Sequence, residues 1–265
     1  MSINLWNKLL NTQLGGEDKC CYDTLEVEPY LEPYLVNIIE NILNNSFKSV
    51  KGINLNRAGG YSGVGKAILE LPSKVKYMIK IGDNKTLTPS GIKTSYDHLL
   101  SEYLANCFYH LADVVVPKMK KYIIPYKGST YFIILSEFID GKMYSSIRTE
   151  SAENKNKIKE NLLKGFFIDC ILNNDDMLGH ELDNVIYKDN IPYRIDTGAS
   201  FCFTGGGSIQ YGWNEISVSN FLNWSDVIYN DHIPDKHHHI KNLQRNINDA
   251  VKIFYYKINP LPDGE

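Results

Sequence analysis

A chain of 265 residues is long enough for one large domain or for two lobes that each bury a hydrophobic core. The composition, 43% hydrophobic and 22% charged, is that of an ordinary globular protein, and a net charge of −3 argues against nucleic acid or a membrane surface as a partner. No apolar run reaches the roughly 18 residues that span a bilayer, and the N-terminus lacks the pattern of a secretory signal.

Five cysteines, an odd number, are scattered along the chain. We interpret them as free thiols in a reducing compartment, which predicts a cytoplasmic location. A secreted effector or a viral protein that acts in the cytosol of a host cell is the alternative.

Strand-like runs dominate the first half of the chain. Apolar residues at helical spacing predict a helix within residues 30–45 and an amphipathic helix over 96–112. The predicted strands cover residues 52–57, 66–71, 75–81, 114–126 and 130–139. The first 45 residues have three candidate roles: a docking element, a partner-binding helix, or a helix that packs on the strands.

The second half is mostly helical. Apolar residues on neighbouring turns predict a helix over 153–173, and a terminal helix is predicted over 236–258. Two short strands, VIY and PYRI, lie between these helices, at 185–187 and 192–195. We therefore predict an α+β fold of two lobes with a cleft between them: a small antiparallel-sheet lobe in 1–138 and a helical lobe in 139–265.

The segment GGYSGVGKA, residues 59–67, comes within one residue of a P-loop signature. Gly60, Gly65 and Lys66 fit G-x-x-x-x-G-K, but Ala67 stands where a P-loop needs Ser or Thr. A P-loop lies between a strand and a helix, whereas the apolar run after Lys66 predicts a strand. Two strands around a glycine turn form the kind of hairpin flap that covers ATP phosphates in kinases, and a plain hairpin turn is the alternative. The candidate phosphate contacts are Gly59, Gly60, Ser62 and Gly63.

Two charged residues downstream of this segment need an explanation. Lys80 lies among apolar residues in a predicted strand, and Glu102 lies on the predicted helix that follows. A strand lysine paired with a helix glutamate orients the α- and β-phosphates of ATP in kinases, and a surface lysine on an edge strand is the alternative. Glu137 and Phe138 end the last strand of the first lobe, where an adenine would meet the backbone of a hinge.

Acids and amides are concentrated between residues 173 and 201. Asn184 precedes the first short strand and Asp196 follows the second, so a hairpin brings both side chains to the same end. Phosphoryl transfer needs a carboxylate that accepts a proton from the attacking hydroxyl, and oxygen ligands for Mg²⁺. We expect Asn184 and Asp196 to hold Mg²⁺, and Asp176 to reach the substrate hydroxyl. A solvated acidic loop is the alternative.

The order of these parts resembles the atypical kinases, which include the HipA-like kinases, the actin-fragmin kinase and the phosphatidylinositol 3-/4-kinases. The chain is most similar to bacterial and viral HipA-like proteins, whose pattern is N-W-D-x-x-G-x-x-x-D-N followed by R-I-D-x-G. Here this pattern is found as Asn174-Asp175-Asp176, Gly179, Asp183-Asn184 and Arg194-Ile195-Asp196-Thr197-Gly198. The resemblance covers residues 55–225 and is more specific in the second half.

The resemblance implies a protein-kinase-like fold and a role for each matched residue. Asp176 would be the catalytic base, and Asn184 and Asp196 the Mg²⁺ ligands. Lys80 would contact the phosphates, and Glu102 would position it.

Two departures from the family pattern affect these roles. The Trp of N-W-D is Asp175 here, so either of the adjacent acids is a candidate base. Asp176 and Asn184 are also eight positions apart, more than the step of about five in ordinary protein kinases. The segment between them must bulge out for Asn184 to act as a ligand; otherwise Asp183 takes that role.

These observations favour an ATP- and Mg²⁺-dependent kinase that phosphorylates Ser or Thr on a protein, including a host protein if the chain is an effector. The alternatives are a lipid or small-molecule kinase, an AMP-transferring enzyme, and a binding module with a degenerate kinase fold. A lipid kinase ranks lower because no clear basic platform for an anionic headgroup follows Asp196. The oligomeric state stays open.

Overall fold

Five strands of the first half pair into one antiparallel sheet in the computed structural model, which describes residues 23–58, 64–89, 91–174, 176–179, 181–201 and 203. The strands are β1 (Asn54–Arg57), β2 (Gly65–Glu70), β3 (Lys76–Asp83), β4 (Met119–Tyr126) and β5 (Ser129–Glu137), in the order β1-β2-β3-β5-β4. All five predicted strands are confirmed. The fourth begins later than predicted, at Met119, because Pro117 has no N–H to donate to a sheet ladder.

A helix from the N-terminal region covers one face of this sheet. A 3₁₀ turn, Glu32–Tyr34, leads into α1 (Leu35–Leu43), whose buried residues pack on the odd-numbered side chains of the central strands. This core contains Leu35, Ile38, Ile39 and Ile42 from α1 and Ala67, Leu69, Ile79, Ile81, Ile133 and Leu135 from the sheet. Of the three roles considered for the first 45 residues, packing on the strands is therefore the one observed for the described part.

A second helix covers the opposite face of the sheet. Thr94 and Asp97 form a capping box at the N-terminus of α2 (Ser95–Leu111), which confirms the helix predicted over 96–112. Phe132 on β5 packs against α2 through the rings of Tyr96 and Tyr103, at 5.1 and 6.1 Å between ring centroids. Because side chains alternate along a strand, Ile79 and Ile81 enter the α1 core while Lys80 between them faces α2.

The helix predicted as continuous over 153–173 is two helices, α3 (Ala152–Leu163) and α4 (Phe166–Leu172). The interruption falls at Lys164 and Gly165. A Cβ on Gly165 would lie 2.5–2.7 Å from the guanidinium atoms of Arg194. Only glycine therefore lets the backbone approach the Arg194 side chain this closely. The prediction of one helix was wrong because apolar spacing does not show this tertiary contact.

A three-stranded sheet lies in the second half, with the order β6-β7-β8. The predicted hairpin is confirmed as β7 (Val185–Lys188) and β8 (Ile191–Arg194), joined by a two-residue turn at Asp189 and Asn190 with φ of 52° and 63°. The additional strand β6 (Lys142–Met143) has only two residues and was not predicted. Val185 and Tyr187 of β7 pack with the 3₁₀ turn Tyr144–Thr149 and with α3 around a second hydrophobic core.

The described residues thus form an α+β fold with two separate hydrophobic cores, one in the sheet lobe and one in the helical lobe, as predicted. They belong to one compact unit that spans Asp23–Pro234. The division into 1–138 and 139–265 stays a prediction, and the helix predicted over 236–258 lies outside the described residues. None of the described helices is long and apolar enough to cross a membrane, and the described Cys107 is buried and is not part of a disulfide.

Candidate nucleotide-binding and catalytic site

Lys80 and Glu102 form a buried ion pair between β3 and α2. The Lys80 Nζ and Glu102 Oε1 atoms are 2.5 Å apart, and the side chains are 7% and 2% exposed. Lys80 is therefore not a surface lysine on an edge strand, since β3 lies between β2 and β5. Burial favours the neutral amine, but the carboxylates of Asp196 and Glu102 outweigh it and raise the pKa of Lys80.

Asp196 joins this pair from the segment after β8. Its Oδ1 lies 3.2 Å from Lys80 Nζ, and its Oδ2 lies 3.3 Å from the Nζ of Lys66 on β2. Burial opposes ionisation of this carboxyl, but the two ammonium groups outweigh that effect and hold its pKa well below the ordinary value. The carboxylate is ionised at neutral pH and is 35% exposed, so it is accessible to a ligand.

Helix α2 positions both carboxylates of this cluster. Glu102 is on the helix itself, and the Thr197 hydroxyl donates a hydrogen bond of 3.2 Å to the Glu102 carbonyl. The Ser101 hydroxyl donates to the Ser200 carbonyl at 3.0 Å. The segment that carries Asp196 is therefore attached to the helix that carries Glu102 by two buried hydrogen bonds.

Asp176 and Asn184 are in contact although eight positions separate them. The Asn184 side-chain amide donates to the Asp176 carbonyl at 2.7 Å and to its Oδ2 at 3.4 Å. The chain closes because the Asn184 N–H donates to the Leu178 carbonyl at 3.1 Å, and Gly179 takes a φ of +76°. The chain between them therefore loops out. Under the alternatives set out from the sequence, this favours Asn184 as the Mg²⁺ ligand over Asp183, whose side chain is exposed.

The hairpin presents Asn184 and Asp196 at the same end of the second sheet. Val185 lies opposite Arg194 in the β7–β8 register, and the Ile195 N–H donates to the Asn184 carbonyl at 3.0 Å. Asp196 follows directly. The hairpin therefore brings Asn184 and Asp196 to the same end, as the order of the strands in the sequence predicted.

A buried polar network, which sequence reasoning missed, lies behind these residues. Arg194 donates to both oxygens of Asp169, with Nε–Oδ1 at 2.7 Å and Nη2–Oδ2 at 2.8 Å. The Tyr109 hydroxyl donates to the same Asp169 Oδ1 at 2.7 Å and accepts from the Asn174 amide at 2.8 Å. One signal for it was available: Asp169 is an acid within the apolar run FFIDCIL.

The predicted adenine and phosphate contacts are described only in part. Glu137 is exposed at the end of β5, and its N–H donates to the Lys118 carbonyl at 2.9 Å, so this N–H is not available to a ligand. Phe138 is half-buried, with Lys76 Nζ 5.7 Å from its ring centroid. The residues Gly59, Gly60, Ser62 and Gly63 lie outside the described residues.

The strands before and after the glycine-rich segment distinguish a P-loop from a β-hairpin connection. β1 and β2 pair antiparallel, with Arg57 opposite Ala67. Lys66 therefore lies in a strand and not at the start of a helix. The segment is the connection of a β-hairpin rather than a P-loop.

Asn184 and Asp196 offer one amide oxygen and one carboxylate for a cation. The described part of the chain has no group of three or more His, Cys, Asp and Glu side chains that could hold a metal ion by themselves. A pair of oxygen ligands still suits Mg²⁺ in a nucleotide site, where phosphate oxygens and water complete the octahedron. The oxygens of Asn184 and Asp196 therefore fit a Mg²⁺ ion that binds together with a nucleotide.

Comparisons with protein-family models and with curated proteins return no match. Among solved structures, the chain is similar to a MAP kinase from Leishmania major, with 12% sequence identity and a TM-score of 0.39. The match covers 63% of this chain and 51% of the kinase chain, so it spans about half the length of that protein.

Proposed function

We propose that this chain is an ATP- and Mg²⁺-dependent phosphotransferase of the HipA-like type whose acceptor is a Ser or Thr hydroxyl on a protein. The observation that carries the proposal is the buried Lys80–Glu102 pair with Asp196 as a shared third member. Two carboxylates and a lysine are costly to bury unless each is paired. A structural role alone does not require Asp196 to stay one-third exposed beside them.

Each residue has a distinct task in this proposal. Lys80 would bind phosphate oxygens of ATP, while Asp196 and Asn184 hold Mg²⁺, which neutralises charge on the phosphates. The acceptor oxygen would attack the γ-phosphorus, and the bond from phosphorus to the oxygen of ADP would break. Asp176 would accept the proton of the acceptor hydroxyl. The Asn184 amide would orient the Asp176 carboxylate through its contact with Asp176 Oδ2.

The acceptor class and the location are parts of the proposal. A protein acceptor is favoured over a lipid because the sequence after Asp196 has no basic platform for an anionic headgroup. We place the activity in a reducing, cytoplasmic compartment, where the buried thiol of Cys107 would stay reduced.

Incubation with ATP labelled at the γ- or the α-phosphate, with Mg²⁺ and a generic protein acceptor, tests the proposal. We expect label from the γ-phosphate only, and a loss of about 100-fold or more in the Asp196→Ala variant. Glu153→Ala, which removes an exposed carboxylate on α3, is the matched control and should keep full transfer. Circular dichroism verifies that both variants fold.

Three results would contradict the proposal. Unchanged transfer by a folded Asp196→Ala protein would remove Asp196 from the site. Label from the α-phosphate would indicate AMP transfer instead. No label from either position, together with a thermal shift on ATP addition, would favour a nucleotide-binding module without phosphotransferase activity.

A further inference from the structure

Lys66 is a second lysine on the same face of the sheet as Lys80. The β2–β3 register places the two residues directly opposite each other, and cross-strand partners share a face. The Lys66 side chain is 12% exposed. A sheet that buries two adjacent ammonium groups needs compensating negative charge nearby.

Asp196 supplies that charge to both lysines at once. Its Oδ2 lies 3.3 Å from Lys66 Nζ, and its Oδ1 lies 3.2 Å from Lys80 Nζ. Lys80 has Glu102 as a second partner. Within the described part of the chain, Asp196 is the one carboxylate in ion-pair contact with Lys66.

Mg²⁺ binding at Asp196 would change this balance. The metal would compete with the lysines for the oxygens of Asp196 and would add two positive charges to the cluster. Lys80 would keep its contact with Glu102, whereas Lys66 would be left as a largely buried cation without a carboxylate. A buried, unpaired ammonium is unfavourable, so Lys66 requires an anion that arrives together with the metal.

We propose that Lys66 is a second phosphate-binding residue, which contacts a phosphate oxygen of the nucleotide beside Lys80. This inference rests on the proposed function and adds a residue to its site. The group that Lys66 binds is a nucleotide phosphate rather than the sugar or the base, since its ammonium shares the carboxylate that would hold the metal. Lys66 would therefore contribute to the affinity for ATP and not to the affinity for adenosine.

Calorimetric titration with ATP and with adenosine, both in the presence of Mg²⁺, tests this inference on the full chain. We expect Lys66→Met to weaken ATP binding roughly tenfold or more, the effect of losing one charge-assisted hydrogen bond. Adenosine affinity should not change, and Lys66→Arg should retain most of the ATP affinity. Lys74→Met is the matched control, because Lys74 is at the other end of the same hairpin, is 80% exposed, and pairs only with Glu70 among the described carboxylates.

The outcomes separate this inference from the proposed function. If wild type and Lys66→Met bind ATP equally while Lys80→Met binds it weakly, the Lys66 inference is wrong and the proposed site stands. If wild type binds no ATP, both are wrong. If Lys66→Met does not fold, Lys66→Gln replaces it, since Gln keeps a polar group at the position; ATP affinity equal to wild type in that variant would also overturn the inference.

Discussion

Arg194 and Asp169 form a two-point ion pair in the protein interior. The side chains are 2% and 0% exposed, and each Asp169 oxygen accepts one guanidinium N–H. Arg194 lies two positions before Asp196, and Asn174, in the same network through Tyr109, lies two positions before Asp176. The pair therefore anchors both segments that carry the candidate catalytic acids.

Removal of one partner should destabilise the protein strongly. We expect Arg194→Met to lower the free energy of unfolding by about 3–5 kcal/mol, because Asp169 would remain buried without its cation. Urea unfolding measures this. Lys157→Met, which breaks an exposed ion pair with Glu153 on α3, is the control and should leave the free energy of unfolding nearly unchanged.

The double variant Arg194→Met, Asp169→Leu sharpens this prediction. Because no unpaired charge stays buried, it should be more stable than Arg194→Met alone. A double variant that is as unstable as the sum of both single changes would show that charge pairing is not what stabilises this contact.

His98 on α2 should make stability depend on pH between about 4 and 6.5. Burial lowers the pKa of His98 to about 4; Lys80 and Lys66 act in the same direction, and Asp196 opposes them. In this window the unfolded chain, with a His pKa near 6.5, binds a proton that the folded protein does not bind. The contribution of His98 to the free energy of unfolding should therefore fall as the pH falls, by up to about 3 kcal/mol, whereas Glu102, whose pKa is raised by burial, acts in the opposite direction.

Unfolding of the His98→Gln variant at several pH values measures this contribution. The stability difference between wild type and the variant should change across the window, because only wild type has an imidazole at this position. Asp196, whose pKa is lowered, contributes stability that is lost only below its unfolded pKa of about 3.9. His110→Gln, at an exposed position, is the control; a pH profile of His98→Gln parallel to wild type would contradict the prediction.

The contacts among Lys80, Glu102, Lys66 and Asp196 could be predicted from the sequence to different degrees. The Lys80–Glu102 pair could be predicted because an inward-facing lysine on a strand needs a partner, and the next helix offers one. The position of Lys66 could have been predicted too, because a tight turn centred on Ser73 places residue 66 opposite residue 80. It was not predicted, since Lys66 was considered only as part of a P-loop pattern.

The Arg194–Asp169 pair could not be predicted by local rules. It joins β8 to α4 across 25 positions, and it requires the break at Gly165 that lets the two helices pass the guanidinium. Apolar spacing predicts which side of a helix is buried, but not where tertiary contact interrupts it. The element types were therefore more predictable than the contacts that hold the site.

Gly179 should be required for the contact between Asn184 and Asp176. Its φ of +76° is unfavourable for other residues, and a Cβ would lie 2.2 Å from Asp183 Oδ1 and 3.0 Å from the Asn184 nitrogen. We expect Gly179→Ala to displace Asn184 and to reduce phosphate transfer at least about tenfold. Gly91→Ala is the control, because Gly91 has a similar φ of +67° with nothing within 4 Å of its Cβ position. Measurement of transfer and unfolding in both variants separates backbone strain, which they share, from the displaced amide; equal transfer by the two would mean that the loop tolerates the methyl group and that Gly179 does not position Asn184.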